Sequence, residues 1–170
     1  MDHLNFEHKY KIPRISTETK QIFCSKASAS KRKRYPLIMH QAGDEFNQVF
    51  NFVCQESYMR PHCHPGPNMT EKMHLIEGSF ELFLFDEVGS IVKTYIMDQP
   101  GQKVQVPPFQ WHTYIIRSEI AIIYETMMGK YEPLSWKKMA HWAPEEDTIE
   151  SKSYLTKLAI HETKNYKSHN

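Results

Sequence analysis

The stretch HCHPGPNMTEKMHLIEG, residues 62–78, decides how this chain is read. His62 and His64 stand two apart, so on an extended strand both imidazoles point to one side while Cys63 points to the other. PGPNMT then turns the chain, and Glu71 opens a strand that can return antiparallel and bring its carboxylate toward the two rings. Gly78 permits a tight turn into SFELFLF. A second block, GQKVQVPPFQWH at 101–112, uses the rigid Pro107-Pro108 pair to deliver His112 at the start of a further strand. Three neutral imidazoles and one carboxylate suit a single borderline first-row divalent ion (Zn, Fe, Mn or Ni), with coordination positions left for water or substrate. In a chain with 10 histidines a His-x-His pair alone is a weak signal. Two ordered blocks inside a β-rich region are a far stronger one.

Outward from these blocks, residues 46–128 read as seven or eight short strands: FNQVFNFVCQ, SYMRPHCH, EKMHLIEG, SFELFLFD, IVKTYIMD, KVQVPP, HTYIIRS and IAIIYETMM. Turn signals such as EVGS and Pro100-Gly101 separate them, which predicts an all-β, closed or double-sheet architecture. Strands alternating with long helices are absent. Residues 1–45 form a polar N-terminal extension expected to pack on the barrel, with a segment at 17–26 that reads equally as a short helix or a strand. Residues 129–170 form a C-terminal segment ending in a short helix, on which Tyr154, Leu155, Leu158 and Ala159 can share one face.

Composition narrows the function classes. With 21 Lys+Arg against 20 Asp+Glu the net charge is +1, too balanced for a protein that binds nucleic acid by neutralising phosphates. No apolar run approaches the length of a membrane span, and the N-terminus lacks the apolar centre of a secretory signal. Cys24, Cys54 and Cys63 are odd in number and irregularly spaced, so a reduced, cytoplasmic protein is expected.

These two blocks resemble the two motifs of the cupin superfamily over roughly residues 55–127, which implies a double-stranded β-helix (jelly-roll) barrel. More narrowly, the chain is similar to the WbuC family of cupin-fold metalloproteins, through RKRY (32–35), Gln48, YMRPHCHPGP, FLFDEVGSIV, VPPFQWH and GKYEPLSWKKMAHWAPEE. PPFQWH is also similar to the matching stretch of archaeal cupin-type phosphoglucose isomerases. The resemblance implies His62, His64, Glu71 and His112 as metal ligands, a basic segment at Arg32 and Arg34, an Arg before the first ligand at Arg60, and further family positions at His40 and Gln48. It also implies a homodimer and, because such genes lie among O-antigen genes, a role in surface polysaccharide biosynthesis. Two departures stand out: Phe109 occupies the usual Gly two residues after the motif Pro, and Ile116 replaces an Asn common four residues past the last His.

Strand parity with His62 lets Tyr58 and Arg60 line the cavity and hold an anionic group, or leaves Arg60 at the rim. Tyr114 has the parity of His112 and serves either the site or barrel packing; His74 has the parity opposite to Glu71 and faces away. Arg32 and Arg34 are a solvated loop or a phosphate contact. Trp136 and Trp142 pack the C-terminal segment on the barrel.

The expected activity is metal-assisted isomerisation or epimerisation of a carbohydrate or sugar phosphate, with a Glu or Tyr moving the proton. An Fe(II) dioxygenase and a non-catalytic saccharide- or acid-binding protein are the alternatives. No catalytic residue is singled out. An ionisable side chain inside the barrel beyond the four ligands would favour an enzyme, and Glu77 and Glu125 are the candidates.

Overall fold

A computed structural model describes residues 11–166. Two five-stranded antiparallel sheets lie face to face. One has the order β1 (Arg34–Ile38), β2 (Phe46–Cys54), β9 (Ile120–Met128), β4 (Glu71–Glu77), β7 (Lys103–Val106). The other has β10 (Lys138–Met139), β3 (His62–Cys63), β8 (Trp111–Ile116), β5 (Phe80–Phe85), β6 (Ile91–Met97). Residues 46–128 thus hold β2 to β9, the all-β barrel expected from the turn spacing.

Each sheet is covered on both faces, which explains why FELFLF and WHTYII are buried along their whole length. Inward residues alternate with outward ones. Phe80, Leu82 and Leu84 meet Met73, Leu75, Val104 and Ile123 in the core between the sheets. Phe83 and Phe85 instead face Trp111, Trp142 and Leu158, under the C-terminal helix α2 (Ile149–Tyr166). Tyr154, Leu155, Leu158 and Ala159 do share the face of α2 that packs there.

On the opposite side, Phe50, Phe52, Ile122 and Tyr124 pack against Phe23 and Ala27 of α1 (Thr17–Ala29), so the undecided segment is a helix. Ser16 caps it by accepting the Thr19 N–H at 3.0 Å. Residues 34–38 add β1 as an edge strand beside β2, so the N-terminal region builds part of a sheet as well as packing on one.

Two backbone positions shape the site. Gly78 has φ 82°, and a Cβ there would collide with the Ile120 carbonyl oxygen, so the β4–β5 turn needs glycine. Phe109 has φ 63°, the left-handed conformation that the usual glycine would take without cost. Its N–H donates to the His64 carbonyl at 2.9 Å, which ties the two sequence blocks together next to the histidines.

Candidate metal centre

His62 on β3 stands directly opposite His112 on β8, because these strands pair at that position. His64 follows just after β3, and Glu71 begins β4 in the other sheet. The structure brings the four together: one ligand atom from each lies within 4.8 Å of all the others, and all four residues are buried. Cys63 points outward into the packing under α2, and His74 lies against Tyr124 on the outer face.

The imidazoles are held by the main chain. The Nδ1–H of His62 donates to the Arg60 carbonyl (3.1 Å), that of His64 to Trp136 (2.8 Å) and that of His112 to Gln110 (2.9 Å). Each ring therefore presents Nε2 inward, the arrangement that outer-shell partners of metal-bound histidines impose. The Nε2 atoms of His112 and His64 lie 2.8 and 3.2 Å from one Glu71 oxygen. The buried His62 Nε2 has no hydrogen-bond partner. Lone pairs converging on a carboxylate oxygen call for a shared cation, so the donor set fits a divalent ion. Burial would raise the Glu71 carboxyl, yet the adjoining His112 and His64 rings prevail and hold it well below the usual range. Burial, then the positive charge of Lys137, pushes His62 well below its ordinary value, which favours the neutral ring a ligand needs.

The group sits in the wall of a cavity of about 480 Å³. Glu125 of β9 lines the same cavity, on the inward side of its strand. Its carboxylate accepts from Asn51 Nδ2 (2.7 Å) and from the Tyr114 hydroxyl (3.3 Å). Burial, then the charge of Glu71, pushes it up to about 8. Burial, then Glu125, raises Tyr114 well above its usual value. Tyr114 is packed into the core, where it touches the site through Glu125. Glu77, the other acidic candidate, lies at the end of β4 and pairs with Lys20 at 2.8 Å instead.

Arg32, Arg34 and His40 line the cavity mouth. Tyr58 and Arg60 do not, and the reason is local: the chain over 55–61 is not a strand, so parity with His62 has nothing to act through. The Tyr58 hydroxyl donates to the Pro144 carbonyl, and Arg60 Nε to that of Ala140 (3.0 Å). Gln48 faces the outer side of β2, where its amide oxygen accepts from Tyr124 at 2.7 Å. Trp142 packs on Phe85, whereas Trp136 lines the cavity.

Several lining residues carry no sequence signal that would single them out. Asn47 and Asn51 belong to the inward face of β2, and Lys137 arrives from the C-terminal segment. Glu146 closes an ion-pair cluster: its carboxylate accepts from Arg32 (2.9 Å) and Arg34 (2.7 Å), next to Lys31–Asp147 at 3.1 Å. The facing runs KRKR and EED, of opposite charge, are the signal from which it was legible.

Two such sheets, with a buried His/Glu group in the wall of the cavity, have the double-stranded β-helix fold of the cupin class. Residues 15–97, just under half of the chain, match the family described as "Domain of unknown function (DUF6016)". That match runs from α1 to β6 and ends before His112. No curated protein matches the chain.

Among solved structures, a conserved protein with a double-stranded β-helix domain from Klebsiella pneumoniae is 14% identical, with a TM-score of 0.54, covering 76% of this chain and 99% of that one. A protein from Shewanella oneidensis is 7% identical, with a TM-score of 0.50, covering 61% and 72%. CapF bound to the inhibitor 3-isopropenyl-tropolone is 13% identical, with a TM-score of 0.50, covering 61% of this chain and 30% of that one. At these identities the likeness establishes the fold. No helix among the described residues is long and apolar enough to cross a membrane.

Proposed function

We propose that this cupin is a metal-dependent enzyme of the isomerase or epimerase kind, acting on a small, oxygen-rich molecule such as a carbohydrate or sugar phosphate. His62, His64 and His112 through Nε2, and Glu71 through its carboxylate, would hold one first-row divalent ion. When bound, that ion supplies Lewis acidity toward a carbonyl or vicinal hydroxyls. The rest is the work of the chain. Glu125 takes or returns a proton on the cavity side, and Tyr114 and Asn51 fix the orientation of its carboxylate. The Trp136 carbonyl fixes the His64 ring, and the segment around it lines the cavity.

The observation that carries this reading is Glu125: a buried carboxyl group inside the barrel, beyond the four ligands, that lines the same cavity and is held there by Asn51 and Tyr114. A protein that merely captures a saccharide has no need of one. Resemblance to the WbuC family supports the setting, surface polysaccharide biosynthesis in the cytoplasm by a homodimer. The same ligand set would also serve an Fe(II) dioxygenase.

The test has two arms. Elemental analysis should find about one ion per chain in the purified protein and a stoichiometry near zero in His112→Ala. Unchanged stoichiometry would remove His112 from the ligand set. Incubation with aldose and ketose phosphates in deuterium oxide should show exchange of carbon-bound hydrogen by NMR, and Glu125→Gln should slow it by about 100-fold or more with metal content intact. Equal exchange rates would dismiss Glu125 as the proton carrier.

A further inference from the structure

Three cationic side chains other than histidine line the cavity: Arg32, Arg34 and Lys137. They are not equivalent. Arg32 directs Nε and one terminal nitrogen at Glu146. Arg34 gives one terminal nitrogen to Glu146 and the other to Ser57 Oγ (3.1 Å) and the Tyr58 carbonyl (2.9 Å). The Arg34 fork is thus fully engaged, and Arg32 spends two of its nitrogens on the same carboxylate. A phosphate would have to displace Glu146 to reach Arg34 and would compete with it for Arg32.

Lys137 has no ion-pair partner among the described residues. It is half-buried and lines the same cavity as His62, His64, Glu71 and Glu125. Its backbone is fixed from the preceding residue, because the Trp136 carbonyl accepts from His64. A single ammonium, with no second cation beside it free of Glu146, balances one carboxylate, whereas a dianionic phosphate would keep an unbalanced charge in the cavity.

We propose that Lys137 anchors the anionic end of the ligand, and that the ligand class is a small hydroxycarboxylate. The hydroxyl and one carboxylate oxygen face the His/Glu group while Lys137 pairs with the carboxylate from the C-terminal segment beside β3. This rests on the reading that the cavity receives an oxygen-rich ligand at the metal group. Within that oxygen-rich class it favours a carboxylate-bearing ligand over a sugar phosphate, and it replaces Arg32 and Arg34 as the anion contact.

The test titrates metal-loaded protein with glycolate, with its neutral isostere glycolamide and with inorganic phosphate, followed by tryptophan fluorescence, since Trp136 lines the same cavity. Lys137→Gln should weaken glycolate about tenfold or more, change glycolamide less than about twofold, and leave metal stoichiometry intact. Lys137→Arg should stay within about threefold of the parent for glycolate. Equal loss of both probes in Lys137→Gln would mean a disturbed wall and overturn the proposal, as would unchanged glycolate affinity. Phosphate binding more tightly than glycolate, and weakened by Arg34→Gln, would return the anion contact to the arginines. Metal stoichiometry is measured first and tests the metal reading by itself. The same titrations run on protein that carries no ion still show whether Lys137 discriminates charge.

Discussion

At the scale of single residues, the site is organised less by the four donors than by what each of them leans on. All three imidazoles use Nδ1 on main-chain carbonyls, so the inward Nε2 is set by backbone geometry. Phe109 belongs to that same backbone. Its side chain is 55% exposed and contributes little packing, while its left-handed φ is unfavourable for any residue with a Cβ. Phe109→Gly should therefore raise stability by up to about 1 kcal/mol in chemical denaturation. A loss of stability would show that the exposed ring makes contacts that outweigh the strain. The sequence already showed this position as a departure from the cupin pattern. It could not show that the backbone had kept the glycine-like conformation under a phenylalanine.

The donors were legible because strand parity and turn chemistry act over a few residues. Tyr58 and Arg60 were misplaced by the same rule, since β3 is only two residues long and the chain before it is irregular. Glu125 was visible as a candidate, but its inward facing depends on the register of β9 between β2 and β4, which no local pattern fixes.

At the scale of elements, the segment between β9 and α2 matters most. It contributes Trp136 and Lys137 to the cavity, pairs β10 with β3, and ends in the acidic residues that hold the basic run before β1. Arg34 is 9% exposed in its side chain, so its pair with Glu146 is shielded from solvent more than a surface ion pair. Burial raises the Glu146 carboxyl, but Arg32 and Arg34 prevail and hold it below its ordinary value. A depressed carboxyl stabilises the fold above the unfolded value of 4.5, and that contribution is lost as pH falls through the lower, folded value. Glu146→Gln should cost about 1–3 kcal/mol near neutral pH, and the gap to the parent should close as pH falls below 4.5. A pH-independent gap in melting temperature would assign the loss to packing. Sequence alone reads residues 129–170 as a C-terminal segment opening on Gly and Pro, and its part in the site was not legible because its partners lie about 70 to 115 residues away.

At the scale of the molecule, the donors are divided between the two sheets: His62 and His112 on one, Glu71 on the other. An ion bound there would tie the sheets at the end where the hydrophobic core gives way to the cavity. Ligand linkage then applies to the whole fold. At a free concentration of about 100 times Kd the stabilisation is about 2.7 kcal/mol, or roughly 5–10 °C in Tm for a chain of this size. Differential scanning calorimetry before and after chelation should show that shift with one of Zn, Fe, Mn or Ni. Identical melting with all four would remove the ion from the folding equilibrium. The double-sheet architecture itself was the most legible level, because seven or eight strand-length segments separated by turn signals leave few other solutions.

The His64–Trp136 contact also has a meaning in time. Every donor side chain leaves the ribosome before Trp136 does, so a growing chain holds three imidazoles and a carboxylate whose middle ring is not yet oriented. An ion taken up at these donors would meet a fully oriented His64 only after residue 136 has been added to the chain.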